Sequence, residues 1–214
     1  MMSDEIMGLV AFILHPSFLI HFSIDPAVGI MLRGALSLLL ASAAAHKLRD
    51  IAGFRAALAR YELLPTAWIG ACTVGVIAME VGVAAGLWLP GIAATSGLAA
   101  AGLFGVYAGA IVINLVRGRH DIDCGCAGVA GGQPLSGGVV IRNGVLVIVA
   151  VVITFPQSSR PLTWLDAITI SAGVSTLALL YAAADGLLAS GSRIAALATH
   201  HRRLFAFPHG GHRA

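Results

Sequence analysis

Charge is what this sequence has least of. Lys, Arg, Asp and Glu together make up 11% of the 214 residues while 58% are apolar, and the mean hydropathy is +0.90. A soluble domain carries about 25% charged residues; a chain with so few has lipid as the natural solvent for most of its length. Low-complexity sequence is absent too. The 8 prolines and 26 glycines gather at segment ends and on small-residue helix faces, which argues against disorder and against a fibrous repeat. The net charge of +3 does not indicate nucleic-acid binding, because the basic residues flank apolar runs, where they set membrane orientation. The apolar stretch Ile6 to Phe22 reads as a poor signal peptide, because it follows Asp4 and Glu5 and lacks a small-residue cleavage pattern. His15 and Pro16 interrupt it, so residues 1–26 read as an apolar segment holding either an interfacial helix or a short extra span.

What is present is a series of long apolar runs bounded by charge and proline. Four of them, Ala27 to Ala45, Thr66 to Leu89, Ile92 to Leu115 and Val139 to Phe155, predict a four-helix membrane core over residues 27–157. A fifth, Trp164 to Leu188, predicts an additional helix within 158–190, followed by a basic, His-rich tail over 191–214 that reads as mobile and solvated. The fold class is therefore all-α, a polytopic membrane helical bundle. Only Pro90 and Gly91 separate the second and third runs, which must form a tight antiparallel hairpin. Gly97, Ala101, Gly105 and Gly109 on the third run, and Gly82 and Gly86 on the second, recur every four residues, a spacing that lets helix backbones approach in lipid.

Orientation follows from the basic residues. Lys47, Arg49, Arg55, Arg60, Arg117, Arg119, Arg193, Arg202, Arg203 and Arg213 fall on one side and Arg160 alone on the other. The positive-inside rule then puts the first loop, the 117–138 loop and the C-terminus in the cytoplasm.

Cysteine is rare, with three in the chain, and two of them carry the candidate chemistry. The loop RGRHDIDCGCAGVAGGQPLSGG holds Cys124 and Cys126 around a single glycine. Gly125 gives the backbone the freedom to close a small disulfide ring, and ring strain makes such a bond easy to reduce, which suits a transferring dithiol. A metal site is the rival reading, built from Cys124, Cys126, His120 and Asp121 or Asp123. The usual zinc spacing and a second cysteine pair are lacking, so no metal ligand is assigned. Cys72 enters the second run from the same side as this loop and is either a third thiol within reach or a small packing residue. Ionisable residues at membrane depth are usually paired or functional, and similar depths predict an ion pair between Arg33 and Glu80 that either fixes helix register or serves proton or quinone handling. Arg142 and Asn143, where the cysteine loop enters the fourth run, either hold that loop against the membrane surface or, the favoured reading, leave Arg142 to reach out to lipid phosphate. His200, His201, His209 and His212 are assigned no function.

Taken in order, His46-Lys47-Leu48-Arg49-Asp50, Tyr61-Glu62-Leu63-Leu64-Pro65, Asp121-Ile122-Asp123-Cys124-Gly125-Cys126 and Arg142-Asn143 resemble the methylamine utilisation protein MauE family, and more loosely DoxX-like membrane proteins. The resemblance covers about Ala27 to Val152. It implies a multi-pass protein of the bacterial inner membrane that supports maturation of methylamine dehydrogenase. The small subunit of that enzyme is periplasmic, rich in disulfides and equipped with a tryptophan-derived quinone. It further implies a thioredoxin-like periplasmic partner, MauD-like, with Cys124 and Cys126 as the exchanging pair and no role for Cys72 or the histidines. Resemblance and charge count pull apart, since disulfide formation in the periplasm is simplest with the pair outside. Either the loop re-enters the membrane, or electrons are relayed across it, or the charge rule fails here. A relay needs a second redox centre, and a bound quinone or a partner would have to provide it. The alternatives to redox exchange are a non-redox transporter or scaffold for the subunit, and a metal-binding membrane protein.

Overall fold

The computed structural model describes residues 23–119 and 135–205, with side chains as far as residue 191. Six helices follow one another: α1 Pro26–Arg49, α2 Ile51–Arg60, α3 Thr66–Gly86, α4 Ala93–Val116, α5 Gly137–Val152 and α6 Trp164–Phe205. Among the described residues the one departure from helix, turn and coil is a bridge between Ile24 and Gln157. The all-helical membrane bundle expected from the apolar runs is what forms. α1, α3, α4 and the Trp164–Gly191 part of α6 are each long and apolar enough to cross a membrane. The 16 residues of α5 rise about 24 Å, short of a hydrocarbon core of ~30 Å.

Helix ends are set by local chemistry. Asp25 precedes Pro26 and accepts a hydrogen bond from the Ala27 amide at 2.8 Å, an N-cap followed by proline in the first turn. Asp50 breaks α1 from α2. Its amide still closes α1 on the His46 carbonyl at 3.2 Å, while its carboxylate caps the Gly53 amide at 2.8 Å and starts α2. The 87–92 hairpin between α3 and α4 turns on Gly91, whose φ of +84° suits glycine.

α1 packs against α3 and α6, α3 against α4, and α4 most extensively against α5, while α2 lies across the start of α3. One apolar cluster joins Leu36 and Leu40 of α1 to Val83, Ala84 and Leu87 of α3, Ala100 and Phe104 of α4, and Ala150 and Ile153 at the end of α5. A smaller one, near the ends that carry the 117–138 loop, joins Tyr61, Ile111, Leu135 and Val139. Large apolar side chains such as Leu38, Val74, Val106, Ile141 and Leu179 point outward, as lipid-facing positions do. Burying apolar area drives no association between helices in lipid, so close packing must.

The small-residue pattern serves this packing at two positions. A Cβ at Gly97 would meet the Ala150 carbonyl oxygen and Thr154 Cγ2 at 3.0 Å each, and one at Gly86 would run into the Ser96 hydroxyl. Gly82, Gly105 and Gly109 have open space beside them.

α6 is 42 residues long and remains helical to Phe205, well into the stretch expected as a solvated tail. The N-terminal segment 1–22 and residues 206–214 lie outside the described residues.

Candidate functional site

Cys124 and Cys126, with His120, Asp121 and Asp123, lie outside the described residues, but both roots of their loop are fixed. At the entry, the Arg119 amide bonds to the Asn114 carbonyl at 3.0 Å and its guanidinium reaches Glu62 Oε1 at 2.7 Å. Glu62 holds a left-handed backbone, φ +50°, which turns the chain from α2 towards α3. At the exit, Leu135 is buried against Tyr61, Ile111 and Val139. The 61–65 linker thus receives both ends of the cysteine loop, which accounts for a Tyr61-Glu62 pair at this point of the chain.

Cys72 opens onto a cavity next to the same linker, about 240 Å³ in volume and bounded by α2, α3, α4 and residues 61–64. Phe54, Ala57 and Leu58 form its α2 wall, followed by Tyr61. That i, i+3, i+4, i+7 spacing gives α2 its apolar face. Cys72 is a free thiol, half-buried.

At one edge of this cavity lies a buried polar cluster. Lys47, 3% exposed, donates to Glu80 Oε1 at 2.7 Å, and the Tyr107 hydroxyl donates to the same oxygen at 2.8 Å. The Lys47 ammonium also sits 5.2 Å from the Phe54 ring centroid and 5.8 Å from that of Tyr107, within cation–π range. Glu80 Oε2 is buried with no hydrogen-bond partner among the described residues.

The expected Arg33–Glu80 pair does not form. Ser37 bonds to the Ala84 carbonyl at 2.9 Å, and this antiparallel register sets Arg33 level with Trp88, about 12 Å along the axis from Glu80. Equal distances from helix ends misplace the pair because α3 reaches further past α1 at the loop end. Lys47, which the sequence marks as an orientation charge and as part of the His46–Asp50 motif, bridges the offset with its long stem. Arg33 keeps a buried Nε without an acceptor among the described residues.

Nor does Arg142 extend to lipid. It forms a buried ion pair with Asp185 of α6 and stacks over Tyr181, 5.4 Å from the ring centroid. A guanidinium that finds a carboxylate inside the bundle has no reason to snorkel. Asp185, 1% exposed, is a lone acid in an apolar run, and by the rule applied to Glu80 it was visible in the sequence. Asn143 is buried beside Arg142 and donates to the Val139 carbonyl at 2.8 Å.

The opposite end of the bundle holds a second, exposed network. Arg160 bridges Asp25 at 2.6 Å and Asp166 at 2.6 Å, tying the start of α1 to the start of α6. The Arg160 hydrogen bond holds the Asp25 carboxyl below its ordinary range. Among the described residues no three His, Cys, Asp or Glu side chains gather as a metal centre would need; the candidate zinc set lies in the undescribed loop.

Together these features define a class: a multi-pass membrane helical bundle with buried ion pairs between its helices and a cysteine loop rooted at one end. The methylamine utilisation protein MauE family model matches residues 25–156. Methylamine utilization protein MauE of Paracoccus denitrificans is 35% identical over 165 residues, covering 77% of this chain and 89% of that protein. The protein of the same name from Paracoccus versutus is 37% identical over 164 residues, 76% and 88% of the two chains. That of Methylorubrum extorquens is 37% identical over 161 residues, 75% and 81%. No solved structure matches. The chain belongs to the methylamine utilisation protein MauE family and is a multi-pass protein of the bacterial inner membrane.

Proposed function

We propose that this protein supports maturation of methylamine dehydrogenase by thiol–disulfide exchange at Cys124 and Cys126. The supporting observation is that the family match spans residues 25–156, a range that includes the Cys-Gly-Cys loop. In this reading the Cys124–Cys126 disulfide is attacked by a thiolate of a MauD-like, thioredoxin-like partner. A mixed disulfide forms and one cysteine of the pair leaves as thiolate. The partner's second thiolate then displaces the other, so the partner is oxidised and the pair reduced. The oxidised partner passes its disulfide to the small subunit of the dehydrogenase. The two ends of the loop, at Arg119 and Leu135, are both tied to the bundle beside Tyr61 and Glu62, so the loop is tethered at one end of the bundle.

The test replaces both cysteines by serine in a strain that depends on methylamine dehydrogenase. Active enzyme falls to background if the dithiol is required, and each single replacement accumulates a mixed disulfide with the partner on a non-reducing gel. Full maturation in the double variant would show that the protein serves the pathway without these thiols.

A further inference from the structure

The cavity beside Cys72 has the form of a ligand site. Its volume of about 240 Å³ exceeds the ~150 Å³ cavity that suffices for benzene, so one substituted six-membered ring fits. Its walls are apolar and aromatic, with Phe54, Tyr61, Tyr107 and Ile111 among them. One polar group at its edge is fixed and almost completely buried: the Lys47 ammonium, clamped by Glu80. An ammonium carries three donors, and one goes to Glu80 Oε1 while the Phe54 and Tyr107 rings flank the rest. An apolar slot with a preset charged donor at its edge suits a flat ring bearing a carbonyl acceptor.

The site lies among the α1, α3 and α4 ends that carry Arg49 and Arg117, where a bilayer passes from hydrocarbon to headgroup. A ligand there can enter from lipid. We infer that this cavity binds the ring of a lipid-soluble benzoquinone, with a carbonyl accepting from Lys47 and the ring edge beside Cys72. This deepens the proposed function and rests on it for an electron source. The reduced Cys124–Cys126 pair gives up two electrons and two protons on reclosing its disulfide, and a quinone takes up both to become the quinol. An acyl chain, the alternative occupant of an apolar slot, makes no use of the Lys47 donor.

The experiment uses full-length protein carrying Cys124→Ser and Cys126→Ser, so that Cys72 is the one thiol left of three. Alkylation of Cys72 by N-ethylmaleimide is followed by mass spectrometry with and without decylubiquinone, whose fully substituted ring does not add to thiols. Alkylation is expected to slow about tenfold at a quinone concentration about ten times its Kd. No protection, or equal protection by decanol, overturns the site. Ala110→Leu, which fills the cavity, is expected to abolish the quinone effect, and the paired variant Lys47→Met with Glu80→Met to require more quinone for the same protection. Protection undiminished in both variants would place the ligand elsewhere and overturn the assignment. Because Cys124 and Cys126 are absent, this result is independent of the maturation test above.

Discussion

At the scale of single residues, the Lys47–Glu80 pair joins helices that meet at unequal depths. Removing one partner leaves the other charged, buried and surrounded by aromatic rings, and such uncompensated charges cost about 3–5 kcal/mol. Lys47→Ala and Glu80→Ala are each expected to lower the thermal midpoint of the detergent-solubilised protein, whereas Lys47→Met with Glu80→Met recovers most of the loss. A double variant as unstable as either single one would mean that the pair's worth lies in the ion contact itself. The exposed Asp25–Arg160 contact behaves differently with pH. Asp25 is held below its ordinary range by the Arg160 hydrogen bond, so its contribution is present above the ordinary carboxylate value of about 3.9. It is lost only as pH falls through the lower folded value. Arg160→Gln should therefore melt below the parent protein at pH 6, and the gap between the two should close under strongly acidic conditions. A gap that persists there would assign it to Arg160 contacts other than the one with Asp25.

At the scale of elements, helix packing separates two kinds of glycine that look alike in sequence. Gly97 and Gly105 fall in one four-residue pattern, yet a Cβ at Gly97 meets the Ala150 backbone at 3.0 Å and one at Gly105 meets nothing within 4 Å. Gly97→Val is expected to wedge α4 from α5 at about 1–3 kcal/mol, seen as a lower melting midpoint. Gly105→Ala should be neutral or stabilise by up to about 1 kcal/mol. Equal loss from both would point to an intermolecular contact at Gly105. The same contrast shows what could be read before the fold was known. Apolar runs, the Pro90-Gly91 turn and the flanking charges announce each span, because lipid demands length and polarity at defined places. Which residues face one another is not local information. The Arg33–Glu80 expectation failed because register depends on how far α3 overhangs α1, and that is settled by contacts such as Ser37 with Ala84. Asp185 was overlooked although its chemistry was plain, and its partner Arg142 lies more than forty residues earlier in the chain.

At the scale of the whole molecule, the helix ends sort as the charge pattern requires. The C-terminal ends of α1 and α4 and the N-terminal ends of α3 and α5 lie together with the roots of the cysteine loop, and Arg160 stands at the other end with Asp25 and Asp166. Pairing alters the charge count without reversing it. Lys47 is neutralised inside the bundle by Glu80 and Arg119 is engaged by Glu62, but Arg49, Arg55, Arg60 and Arg117 remain at that end. The positive-inside rule therefore expects the end that roots the Cys124–Cys126 loop to face the cytoplasm, whereas exchange with a periplasmic partner asks for the other side. With Cys72 replaced by serine, a membrane-impermeant maleimide applied to intact cells separates the two: the direct exchange proposed above expects Cys124 and Cys126 to be labelled from outside, and the charge pattern expects them to be labelled only once the membrane is opened. That outcome requires electrons to cross the bilayer between the dithiol and any periplasmic partner. Labelling of intact cells would instead put the basic end outside, allow direct exchange with the partner, and make this bundle an exception to the charge rule.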